Sequence, residues 1–203
     1  MADILLDNES TPSTPAASKS VIFVDSTTKK LASLDDGGTE RAGTLSKNQA
    51  TSQQTGFASD TYLTGSGIQI PACGMQVGQL YQWIVGIQKT AAGTATIAVT
   101  VRMGSAQTTA DTSELVLTQT VAQAATAAGT QMLVTVQVRS VSATGVITGI
   151  LGFTAATQFG SGVQAASSTF ANNAAAGLFL GLSLNGGASA SYTIDTCTGY
   201  LIS

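Results

Sequence analysis

The residues able to do chemistry in this chain are sparse, and none of them is a histidine. Ser-His-Asp and Cys-His arrangements are therefore excluded as usually built. Glycoside hydrolysis needs two acids held roughly 5–10 Å apart. Beyond residue 59 the acids are Asp60, Asp111, Glu114 and Asp195. Asp111 and Glu114 would sit near one another in a loop, and they read as solvated loop residues rather than an acid pair. Ser26 and Lys29 have the Ser-x-x-Lys spacing of penicillin-binding enzymes. That serine must start a helix and be joined by two further motifs, whereas here the context is a polar turn. Asp35, Asp36, Gly37 and Gly38 lack the alternating ligands and closing Glu of a calcium loop, but they supply turn geometry directly. Gly65, Ser66 and Gly67 lack the third glycine and following helix of a phosphate loop. Cys73 and Cys197 without histidine make a poor zinc site; in strand-like stretches they read as free thiols acting as small hydrophobes. Asn8, Glu9 and Ser10 fit a glycosylation sequon, with no sign of secretion around it. The expectation is no catalytic residue, no cofactor and no metal.

Tyr62, Tyr81, Trp83 and Tyr200 are the aromatic residues that could stack on a sugar. Aromatic side chains on sandwich strands more often fill the core. Tyr81 and Trp83 share a face by the period of two, which suits either role.

The elements that must position these residues are strands. In 94–103, Ile97, Val99, Val101 and Met103 alternate with Thr96, Ala98, Thr100 and Arg102. Met132, Val134, Val136 and Val138 alternate in the same way. Period two means a strand with one buried face. Stretches 80–88, 115–117, 145–153, 178–184 and 189–202 complete seven or eight strands. Residues 121–128 are the only helix candidate, ended by Gly129. The pattern predicts an all-β fold, a jelly-roll-like β-sandwich.

The composition changes near residue 60. Residues 1–59 hold seven of the eleven acids and five of the eight bases, which leaves seven charges for the other 144 residues. Within 1–59, residues 8–18 read as an extended arm, because Pro12 and Pro15 bias the residues before them away from helix. Residues 20–24 and 31–34 flank a polar turn and predict a short β-hairpin. Two strands alone are marginal in water, so the hairpin needs further strands, from sister chains or from a host surface. Residues 39–59 are weakly patterned and read as a linker. The organisation expected is 1–59 for arm, hairpin and linker, and 60–203 for the sandwich.

Only 9% of the residues are charged and the net charge is −3, against roughly 25% charged in an average soluble domain. With no basic patch, nucleic-acid binding has little electrostatic basis. No run approaches the about 20 apolar residues of a membrane span, and Asp3 and Asp7 stand where a signal peptide needs positive charge. The chain is expected to remain in the compartment where it is made. A surface of uncharged polar and small apolar groups is cheap to desolvate, which suits a protein covered by partners. Charged edge residues that block strand pairing are scarce, and self-association follows.

Residues 11–38, a Pro-containing arm leading to a hairpin that closes on Leu34, Asp35, Asp36 and Gly37, resemble the N-terminal module of many tailed-phage structural proteins. Residues 62–71, 78–83, 89–95, 138–141 and 181–188 are similar, in that order, to later parts of the same proteins. The resemblance implies a homotrimer of the head-fibre or capsid decoration type, with an anchoring N-terminus and a jelly-roll C-terminal domain. It implies binding to the major capsid protein, or another virion protein, on the outer surface of the particle. Ile4, Leu5, Leu6, Pro12, Pro15, Val21 and Phe23 are the expected anchoring residues. The alternative is a tail fibre that recognises a host surface glycan.

Overall fold

Backbone donors in a chain of alternating apolar and small polar residues are satisfied between strands rather than within helices. A computed structural model of the chain describes residues 8–9, 16, 20–25, 31–35, 40–42, 47–71, 74–141, 144–160, 164–171, 177–187 and 191–202. Its strands are β1 (Asn8–Glu9), β2 (Ser20–Asp25), β3 (Leu31–Asp35), β4 (Glu40–Ala42), β5 (Lys47–Ala50), β6 (Thr61–Tyr62), β7 (Ile68–Gln69) and β8 (Leu80–Lys89). They continue with β9 (Ala98–Gly104), β10 (Thr112–Thr118), β11 (Ala128–Ser140), β12 (Gly145–Phe153), β13 (Gln164–Phe170), β14 (Phe179–Asn185) and β15 (Tyr192–Ile202). The one helix among the described residues is α1 (Ala156–Phe159).

Two antiparallel sheets build the sandwich. One has the order β13-β12-β11-β8-β15-β5; the other has β10-β9-β14-β6, with β7 also pairing β14. The chain changes sheet after β5, returns for β8, crosses for β9 and β10, and returns again for β11. β14 and β15 then insert between strands laid down long before. Four strands of each sheet thus follow a jelly-roll order, and β12 with β13 widens one sheet beyond it.

The alternation read from the sequence is the alternation of burial. Ile97, Val99, Val101 and Met103 point inward, as do Met132, Val134, Val136 and Val138. They meet Tyr81, Trp83, Val85, Leu180, Leu182 and Leu184 in one core. Cys197 joins that core as a free buried thiol; Cys73 lies outside the described residues.

The expectations for 39–59 and 121–128 are corrected, and one strand, at 164–170, has no signal in the sequence. Residues 39–59 contain β4 and β5, and β5 pairs β15 with Cys197 opposite Ala50. Residues 164–170, with small and polar side chains, form β13, paired along β12 from Gly145↔Phe170 to Leu151↔Gln164. Residues 121–128 form no helix. There two backbone donors leave the segment: Gln123 N donates to Thr94 O at 3.2 Å and Ala124 N to Gln158 O at 3.1 Å. The side-chain amide of Gln123 donates to Gln119 Oε1 at 3.0 Å, and Lys89 Nζ reaches the carbonyls of Ala124 at 2.5 Å and Thr126 at 2.6 Å. These bonds hold the segment down as a loop.

The expected hairpin is present as β2 and β3, with Ser20 opposite Asp35 and Val24 opposite Leu31. The expectation that its further strands come from sister chains or a host surface is corrected: the chain supplies them itself, since β1 pairs β2 in parallel and β4 pairs β3.

Candidate functional site

The outer face of the five-stranded sheet carries a cluster that alternation puts there. On β14 the inward residues are Leu180, Leu182 and Leu184, so Gly181 and Ser183 face out. Arg102 of β9 is in register with Gly181, and Tyr62 of β6 with Ser183. The Tyr62 ring lies across Gly181: a Cβ there would collide with the Tyr62 hydroxyl. Burial pushes that hydroxyl's pKa up, with contact from Ser66 partly opposing the shift.

Arg102 organises the cluster. Its Nε donates to Ser183 Oγ at 2.8 Å and one terminal nitrogen donates to the Asp111 carbonyl at 2.8 Å. The other terminal nitrogen pairs with Asp60 Oδ2. The second carboxylate oxygen of Asp60 is buried and takes no hydrogen bond. Asp111 Oδ1 accepts from Ala106 N at 3.1 Å and closes the β9–β10 loop.

Two loops meet beside this cluster and flank an open, shallow hollow of about 580 Å³, lined by Asp60, Thr61, Tyr62, Thr64 and Gly65 from one loop and Gln107, Thr108 and Thr109 from the other. Gln107 has φ 53, the one positive φ outside glycine among the described residues. A Cβ on Gly67 would strike the Gln107 side-chain oxygen, so Gly67 leaves room for that amide. Ser66, between the two glycines, is fully buried; its hydroxyl donates to Leu63 O at 2.7 Å and accepts from Leu182 N at 3.0 Å. The Gly65-Ser66-Gly67 turn is therefore no phosphate loop: Gly65 lines the polar hollow, and Ser66 and Gly67 are buried beneath it.

The other expected sites fall apart. Tyr81 and Trp83 are fully buried, and the four aromatics form no platform; Tyr62 alone of them lines the hollow. Asp111 and Glu114 are not solvated loop residues, since both are buried. They line a second hollow of about 360 Å³ with Met103, Thr112 and Leu178. Of the expected anchors, Ile4, Leu5, Leu6, Pro12 and Pro15 lie outside the described residues, as do Ser26, Lys29 and 36–38. Val21 sits in β2 opposite Leu34. Phe23 is buried within its own chain at 3% exposure, so its ring is not free to anchor on a partner. Among the described residues no group of three or more Cys, Asp or Glu gathers in metal-binding fashion. Among them also, no helix is long and apolar enough to cross a membrane.

Glu114 supplies a prediction. Burial raises its pKa above the usual 4.5. A carboxyl raised in the folded state favours folding most below its unfolded value, and that contribution is lost as pH rises through the folded value. Glu114→Gln keeps the shape and removes the charge. It should raise the Tm at pH 7, and the gain should vanish near pH 4 in scanning calorimetry. An equal gain at both pH values would exclude ionisation as the cause.

No family model and no curated protein matches the chain. A solved structure, arcelin-5, a lectin-like defense protein from Phaseolus vulgaris, is similar at 11% identity and a TM-score of 0.39, over 78% of this chain and 91% of its own.

Proposed function

We propose that the chain is a non-enzymatic structural component of a virus particle, a homotrimer that docks on the outer surface of a capsid and stabilises it. The protein is made in the host cytoplasm and ends on the virion. The observation that carries this reading is the outer face of the six-stranded sheet. Leu133 and Ile150 stand there at 40% and 44% exposure, with Ile202 at 37%. Leu133 is in register with Ile84, and Thr135 with both Gln82 and Ile150. Among the described outward side chains of β8, β11, β12, β13 and β15, the charges are Arg139 at one end and Asp195 in the β15 bulge.

A face of leucine, isoleucine, threonine and glutamine desolvates at little polar cost. Five strand spacings of about 4.8 Å and strands of about ten residues make it roughly 24 by 33 Å, or about 800 Å². That is about the area each partner gives to a standard interface. Three copies in a closed ring bury such faces without leaving an open end. Each copy also brings an N-terminal segment, and three weak anchors on one body bind with avidity. The resemblance of residues 11–38 to phage anchoring modules supports the capsid, and its major capsid protein, as the surface bound.

Sedimentation equilibrium on the whole chain should give three copies. Leu133→Lys with Ile150→Lys should give a folded monomer, because both side chains point away from the core. A chain starting at Gly43 should remain trimeric, yet fail to label virus particles that the whole chain labels in immunogold images. A whole chain that is monomeric at micromolar concentration would end the proposal.

A further inference from the structure

The hollow beside Arg102 goes beyond a structural role, and the trimer could form without it. Its volume of about 580 Å³ lies within the about 300–1,000 Å³ of small-molecule sites. Three properties define what fits. The first is charge. Among the described lining residues Asp60 is the only one with an ionisable carboxyl or amine, and Arg102 beside it already neutralises it while holding Ser183 and Asp111. The described lining residues offer neither a free cation for an anion nor a free anion for a cation. The second is hydrogen bonding. Thr64, Thr108 and Thr109 bring hydroxyls that both donate and accept, and Gln107 brings an amide that does the same. The third is shape. Tyr62 adds a half-buried aromatic ring to the wall, and an aromatic face suits the apolar C–H side of a sugar ring.

The backbone is arranged in advance for this. Gln107 holds a left-handed φ of 53, which side-chain-bearing residues rarely adopt. Strain of that kind gathers at ligand clamps. The glycine segment below Gln107 is fixed in turn through buried Ser66 and the indole of Trp83.

We infer that the hollow formed by the loops around Asp60–Tyr62 and Gln107–Thr109 binds a neutral hexose unit of a polysaccharide. The test is saturation-transfer NMR on the whole chain with glucose, galactose, mannose and N-acetylglucosamine, each at about 50 mM, since a single sugar unit binds with Kd on the order of 1–10 mM. At least one should receive saturation. Gln107→Gly removes the amide and suits a positive φ, so it should keep the Tm and weaken binding about tenfold, a loss of one hydrogen-bonding group. Tyr62→Ala should abolish transfer to the ring C–H protons. Glucuronate and glucosamine should bind less well than glucose. The inference is overturned if none of the four sugars receives saturation. It is equally overturned if Gln107→Gly binds as well as the unaltered chain, or if a charged sugar binds best. Because every arm can be run on monomer or trimer, failure here leaves the capsid reading standing, and the reverse holds too.

Discussion

Trp83→Ala should lose about 3–5 kcal/mol of folding stability, the range for removing a large buried aromatic side chain. The reason lies in where the β8 register puts the indole. Trp83 is opposite Val134 on one side and Gly199 on the other, at the centre of the six-stranded sheet, and it is fully buried. Its ring stacks on Tyr81 with centroids 6.4 Å apart. Its Nε1 donates to the Ser66 carbonyl at 2.6 Å, tying the two sheets together through the turn that begins β7. Net stabilities of domains this size are about 5–15 kcal/mol, so the loss would take a large share. Trp83→Phe separates the two contributions. It keeps most of the apolar contact but strands the buried Ser66 carbonyl, which should cost about 1–3 kcal/mol. Urea unfolding at pH 7 reads both, with an unchanged m-value showing that the unfolded state is the same. A loss below about 1 kcal/mol for Trp83→Ala would mean that the sheets are not joined through this residue.

The same side chain shows how far the sequence speaks. Tyr81 and Trp83 alternate with Gln82 and Ile84; period two puts them on one face, and the packing of the two sheets makes that face the inner one. Ile97 through Met103 and Met132 through Val138 follow the same logic, because one face is apolar and the other is not. Where both faces are small and polar the signal fails. Residues 164–170 are a strand because β12 offers them a ladder, and Lys47–Ala50 because β15 does. Neither has an apolar stripe to announce it. Residues 121–128 carry alanines that suit a helix, but buried Gln119 and Gln123 hold the loop through side-chain bonds that no propensity encodes. The hollow was harder still. Arg102 and Asp60 are 42 positions apart, and Gly181 meets Tyr62 only because β14 inserts beside β6 and β9. Gly65, Ser66 and Gly67 were visible as a motif. Their role was not, since it depends on an indole and an amide arriving from other strands.

Raising the pH above about 9 should destabilise the protein, and Cys197→Ala should reverse part of that loss. Burial in the core pushes the Cys197 thiol from 9.0 up to about 12. Burial also lifts the Tyr192 hydroxyl from 10.0 to about 12. A group whose pKa is raised by folding stabilises the fold fully below its unfolded value, and that stability is lost as pH climbs through the folded value. For Cys197 the window therefore opens near pH 9, before that of Tyr192. Each unit of difference is worth about 1.4 kcal/mol, so the thiol alone accounts for a loss of roughly 4 kcal/mol by pH 12. Lys89 works in the opposite direction, because burial lowers its pKa from 10.5 and its folded form sheds the proton first. That contribution, like that of Tyr192, is common to the unaltered chain and the variant, so the difference between them isolates Cys197. At pH 8 the variant should be less stable by about 1 kcal/mol, for the lost sulfur contacts. Between pH 9 and 10 its stability should fall more gently, and the two curves should cross. Urea titrations with reductant present, from pH 7 to 11, would show the crossing. Parallel curves would mean that the thiolate forms inside the fold without penalty, and that residue 197 is not sealed in the core.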